Sequence, residues 1–68
     1  MRFNIDDRVR IKEYPGAEYS GLTGTIVGFD EVLDYPKYTE FFIVLLDKPV
    51  SRDRAFVLAD YSLERINE

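Results

Sequence analysis

Residues 21–29 read Gly-Leu-Thr-Gly-Thr-Ile-Val-Gly-Phe. Thr25, Ile26, Val27 and Phe29 are β-branched or aromatic, the residue types that strands prefer. Gly21 and Gly24, three apart and just ahead of them, predict a tight turn with positive φ, placed at Gly24, and a close backbone approach. Gly28, inside the strand, predicts a bulge or sharp bend, the device by which a short sheet curls. A glycine-led, bent strand with no helical period on either side points to a small all-β fold.

The segments on either side agree. Upstream, Asp7–Lys12 alternates: Val9 and Ile11 share one parity, and Arg8, Arg10 and Lys12 take the other, the period of a half-buried strand. Phe3 and Ile5 continue the apolar parity and are expected to cover one end of the core. Glu13–Ser20, with Pro15-Gly16 between two tyrosines, has no period and reads as a surface loop. Downstream, Asp30–Thr39 is polar and acidic, broken by Pro36, and reads as a connection. Phe41–Leu46 is apolar at both parities, the pattern of a strand covered on both faces or passing between two core layers. Asp47-Lys48-Pro49 is expected to end it, because proline cannot donate to a ladder. Ser51–Arg54 is a charged turn, Ala55–Leu58 a short strand, Ala59–Ser62 one helical turn and Leu63–Ile66 a last strand. Five short strands with turn signals between them, in 68 residues, predict one domain spanning residues 1–68. The expected architecture is a small five-stranded barrel with a short helical turn before the last strand. Its expected core is Val9, Ile11, Ile26, Phe42, Val44, Val57, Leu63 and Ile66, with Ile43 or Leu45 in a second layer.

Composition narrows the chemistry. A chain of this size buries only about 60% of the surface that its unfolded form exposes, so its stability rests on a well-packed core. With 46% hydrophobic residues, five Phe and five Tyr, the material for a core is present. There is no Cys and no His, which removes disulfides, thiolate and imidazole metal sites, the cysteine nucleophile and the usual proton-transfer group near neutral pH. Ser20, Ser51 and Ser62 have no identifiable base. The carboxylate pairs, such as Asp6-Asp7 and Asp30-Glu31, would need desolvation to act as acid and base, and so small an interior supplies little. The expectation is a protein that is not an enzyme and carries no cofactor. Asp30, Glu31, Asp34 and Glu40 form an acidic loop, but without the alternating ligands or sixth-position glycine of an EF-hand, so no metal is expected. No apolar run approaches the ~20 residues of a membrane span, and no apolar signal core stands at the start, so the expected setting is cytoplasmic, away from membrane.

The order of pieces resembles the SH3-like barrel, especially its KOW-type branch. The residues that carry the resemblance are Asp7-Arg8-Val9-Arg10-Ile11, Gly21-Leu22-Thr23-Gly24-Thr25-Ile26-Val27 and Tyr61-Ser62-Leu63-Glu64-Arg65-Ile66. Such families often carry Gly-Asp before the first strand, where this chain has Asp6-Asp7. The layout also looks like the small SH3-like accessory subunits of photosynthetic complexes. The resemblance implies a fold that hosts many functions. Loops of such barrels converge on one face, where aromatics build peptide grooves. Tyr19, Tyr35 and Tyr38, with the acids Asp30, Glu31 and Asp34, are the candidate partner-binding residues, whereas Tyr14 and Tyr61 fit either a cap on the core or the same contact face. The favoured function is a protein-binding module: an adaptor, accessory subunit or inhibitor of a larger complex. KOW-type barrels also touch RNA, and Arg8, Arg10 and Lys12 form an outward basic stripe that Arg2 and Arg65 extend. Against a nucleic-acid partner stands the net charge of −4, nine basic residues facing thirteen acidic ones. An acidic inhibitor that mimics a polyanion is the third alternative.

Overall fold

A computed structural model of the chain describes residues 2–12, 19–30, 39–50 and 52–66. Five strands form one antiparallel sheet: β1 (Arg8–Ile11), β2 (Thr23–Asp30), β3 (Phe41–Val50), β4 (Asp53–Ala59) and β5 (Leu63–Arg65). A single 3-10 turn, Asp60–Ser62, joins β4 to β5. The strands lie in the order β4-β3-β2-β1-β5. The fold is all-β with a helical turn before the last strand, as the sequence predicts.

The sheet is rolled but not closed. Laid flat, five strands at roughly 4.8 Å spacing would hold β4 and β5 about 19 Å apart. The step from Ala59 to Leu63 reaches at most about 14 Å when fully extended, so the two edges are drawn toward each other. Residues from both edges share one core: Leu63 belongs to the buried cluster of Phe3, Val9, Ile11, Ile26, Phe42, Val44 and Leu46, and Phe56 and Leu58 of β4 pack against it. Among the described residues no pairing joins β4 to β5, which departs from the expected barrel. β5 has three residues, and they are spent on β1, where Ile11 faces Leu63 and Val9 faces Arg65.

Two turns of one kind bracket β1. In Asn4–Asp7 the Asp7 N–H donates to the Asn4 carbonyl at 3.1 Å, and Asp6, the third residue, has φ 75°. In Tyr19–Leu22 the Leu22 N–H donates to the Tyr19 carbonyl at 3.3 Å, and Gly21 has φ 77°. A third residue at positive φ is the mark of a type II turn. The positive φ expected at Gly24 thus sits at Gly21 instead. Gly24 carries the close approach: it lies between Val9 and Leu46, where a Cβ would stand 2.6 Å from the Leu45 carbonyl oxygen. Gly28 follows the expected bulge, in which Val27 is left over between the Ile26–Val44 and Gly28–Ile43 pairs.

Two strand boundaries and several core assignments differ from expectation; β4 already begins at Asp53, inside the expected charged turn, and runs to Ala59. β3 does not stop before Pro49; it runs on to Val50 because Leu46–Pro49 form a wide irregularity opposite Arg54, where no regular ladder donor is required. Arg54 bridges that gap, its Nε donating to the Leu46 carbonyl at 2.8 Å. Val57 is exposed because Val44 pairs with Phe56 and Phe42 with Leu58, which turns the even residues of β4 inward. Ile66 is half-buried, whereas Phe3 and Leu46 are full core members. Ile5, expected to cover the core with Phe3, is exposed on its turn.

Candidate functional site

The outer face of the sheet divides into a polar half over β1 and an apolar half over β3 and β4. Register places Arg8, Thr25, Leu45 and Ala55 in one row across four strands. At the polar end, the Arg8 guanidinium grips both oxygens of Asp47, at 2.7 and 2.6 Å, and donates to Thr25 Oγ1 at 2.8 Å. Thr23 Oγ1 donates to Asp47 Oδ2 at 2.6 Å. These bonds, the Arg8 pair first and Thr23 second, hold the Asp47 carboxyl far below the usual carboxylate range, against a smaller opposing effect of burial. Two further pairs complete this half: Arg10 with Glu64 at 3.7 Å, and Arg65 with Asp7 at 3.0 Å. Asp7 also lies below its ordinary pKa, chiefly because the Asn4 backbone N–H donates to it and then because of Arg65. Arg65 stands 5.5 Å over the Phe3 ring as well.

The stripe of Arg8, Arg10 and Lys12 is therefore mostly neutralised. Arg8 is committed to Asp47 of β3, across β2, and Arg10 to Glu64 of the adjacent β5, while Lys12 is exposed. Lys12 lines a groove of about 380 Å³ with Arg2, Phe3, Leu63, Glu64 and Arg65.

The apolar half has no such pairing. Leu45 is 37% exposed, Val27 45% and Val57 46%. Ile43 lies between them, half-buried, its side chain arching over Gly28, where an added Cβ would meet the Ile43 Cδ1 at 3.1 Å. Ala55 extends the strip along β4. The turn bearing the exposed Ile5 is tied to β2 beside the bulge, by Asp6 N–H to the Ile26 carbonyl at 2.8 Å. A sheet face of this kind ordinarily alternates to polar residues, whereas this half carries an exposed apolar strip.

Of the tyrosine and acid cluster expected from sequence, only Tyr19 and Asp30 fall among the described residues. Tyr19 is half-buried, its ring 5.5 Å from that of Phe56 and packed against the core, so it serves as a lid on the interior more than as an exposed contact. Asp30 ends β2, exposed, opposite Phe41. Glu31, Asp34, Tyr35 and Tyr38, and also Tyr14, lie outside the described residues. Tyr61, for which the sequence left core cap and contact both open, is 53% exposed on the 3-10 turn. Among the described residues no three carboxylates gather as a metal site would require, and no helix is long and apolar enough to cross a membrane.

Sequence reasoning missed the apolar strip, although its signal was present. The run Phe41–Leu46, apolar at both parities, implies that one outward row of the sheet is apolar. No protein-family model matches the chain, and neither does any curated protein or solved structure.

Proposed function

We propose that the chain is a non-enzymatic protein-binding module, a small SH3-like barrel of the KOW type that works in the cytoplasm as an adaptor, accessory subunit or inhibitor of a larger complex. The observation that carries the reading is the uncovered strip of Val27, Ile43, Leu45 and Val57 on the outer face. Burying such side chains against a partner is worth roughly 25 cal/mol per Å² of apolar surface. The paired charges of Arg8, Asp47, Arg10 and Glu64 border the strip as a polar rim. The strand order supports the SH3-like assignment, and so does Asp6, whose φ of 75° occupies the position where those families often carry glycine.

The test compares immobilised wild-type protein with the Leu45→Asp/Val57→Asp double variant in lysate of the source cell. A partner retained by the wild type and lost by a folded double variant is the expected result. Equal retention by both removes the strip from the interface.

A nucleic-acid module is the second reading, favoured by one observation: Lys12 and the side chain of Arg2 share the groove beside β5 without an acidic partner among the described residues. Two such cations support only weak, salt-sensitive binding. Titration with RNA and DNA at two salt concentrations decides it, and micromolar binding abolished by Lys12→Glu would replace the first reading.

A further inference from the structure

The two edges of the sheet are built differently. β5 is three residues long and carries Glu64 and Arg65, the short, charged edge that resists pairing with another chain. β4 is seven residues, Asp53-Arg54-Ala55-Phe56-Val57-Leu58-Ala59, without proline. Its one cation, Arg54, is turned back onto the Leu46 carbonyl. Among the described residues no strand pairs with its outer edge.

The direction of its backbone groups follows from one bond. The Asp60 N–H donates to the Glu40 carbonyl at 2.9 Å, in step with the pairs Phe42–Leu58 and Val44–Phe56. Bonding parity in an antiparallel ladder alternates. Even residues of β4 therefore bond to β3, and Ala55 and Val57 direct their N–H and C=O groups outward. Both are exposed.

We infer that this edge pairs with β4 of a second copy of the chain, antiparallel, about a two-fold axis at Phe56. Such an axis passes between directly opposed residues, so each residue of one copy must face its symmetry mate in the same register. Centred on Phe56, Ala55 faces Val57 of the second copy in both directions, which uses the outward backbone groups of the exposed residues. The two Phe56 rings meet at the axis on the inner side, and the apolar strips of both copies join on the outer side. One residue beyond each end of the strand, Arg52 faces Asp60 of the other copy, twice by symmetry. Neither side chain has a partner within the chain among the described residues. Neighbouring registers lose this match. Centring on Val57 sets Asp60 against Arg54, which is already committed, and centring on Ala55 sets Asp60 against Val50. The inference goes beyond the protein-binding reading: it needs no other protein, and it stands or falls on the purified chain.

Sedimentation velocity on purified protein, from roughly 10 to 500 μM where interfaces of modest area associate, is the test. Wild type is expected to shift from monomer to dimer with concentration. Arg52→Glu and Asp60→Lys, each still folded by circular dichroism, are each expected to weaken the dimer at least tenfold. An equimolar mixture of the two restores it. In the mixed dimer the introduced glutamate of one variant meets the introduced lysine of the other, and the native Asp60 and Arg52 meet at the opposite end. Val57→Pro, which removes an outward N–H and no bond to β3, abolishes the dimer independently of charge. A wild type that stays monomeric throughout leaves the edge to a different polypeptide and overturns the inference. So does a dimer indifferent to Arg52→Glu and to Val57→Pro, or a mixture that stays monomeric.

Discussion

Strand β3 sends Phe42, Val44 and Leu46 to one side of the sheet and Ile43 and Leu45 to the other. The two sets are chemically alike, yet the first is fully buried, whereas Leu45 is exposed and Ile43 half-buried. Hydrophobicity put the strand in a sheet; pairing decided which residues found a core. The inner set meets Ile26, Val9 and Leu63 from three other strands. The outer set meets Gly28, Ala55 and Val57, neighbours too small or too exposed to cover it. An apolar residue on the inner side carries stability, and one on the outer side contributes little to it.

Four substitutions probe that contrast. The largest effect is expected from Ile26→Ala, which leaves a cavity in the inner layer and should lower unfolding free energy by about 2–4 kcal/mol in urea titration. In so small a domain that approaches the whole stability. Gly24→Val comes next, at about 1–3 kcal/mol, because its side chain would press on the Leu45 carbonyl and the Val44 methyl. A tolerated valine would show that the strands can separate there. Asp47→Asn, on the outer side, is smaller and shows mainly as pH dependence. The folded carboxyl lies below its ordinary value of 3.8, so its contribution is complete above that pH and is lost as pH falls further. Asp7 shifts in the same direction. Urea midpoints of the wild type should therefore fall below about pH 4, and Asp47→Asn should flatten part of that fall. Smallest of all is Leu45→Thr, expected within about 0.5 kcal/mol of wild type by thermal melting. A large loss there would mean that the outer strip is covered.

The same contrast explains which features were legible in the sequence. The strict alternation of Arg8–Ile11 sets the inward parity of β1, and the bend at Gly28 was marked by the glycine itself. Ala55–Leu58 is apolar at both parities, so its facing depended on the offset to β3, a long-range quantity that no local pattern records. That offset moved Val57 outward and Phe56 inward. Gly21 and Gly24 were both recognised as special, but only the three-dimensional path separates a turn that needs positive φ from a strand that needs the absence of a Cβ. Tyr19 looked like a contact residue because loops are usually exposed, and Phe56, turned inward, gave it a ring to pack on. The ion pairs of Arg8 and Arg10 were equally hidden, since Asp47 and Glu64 reach them only through register.

The pairing of β1 with β5 also sets a timetable for synthesis. β2, β3 and β4 are successive antiparallel neighbours and can pair as each emerges from the ribosome. β1 can join β2 early, but its other edge, and the place that Leu63 fills beside Ile11, must wait until almost all of these residues have been made. At roughly 5–20 residues per second that is a wait of several seconds. During that time Val9 and Ile11 lack part of their cover, with only the strands already paired to shield them. The last strand, the shortest of the five, is therefore the one whose arrival completes the cover over Val9 and Ile11.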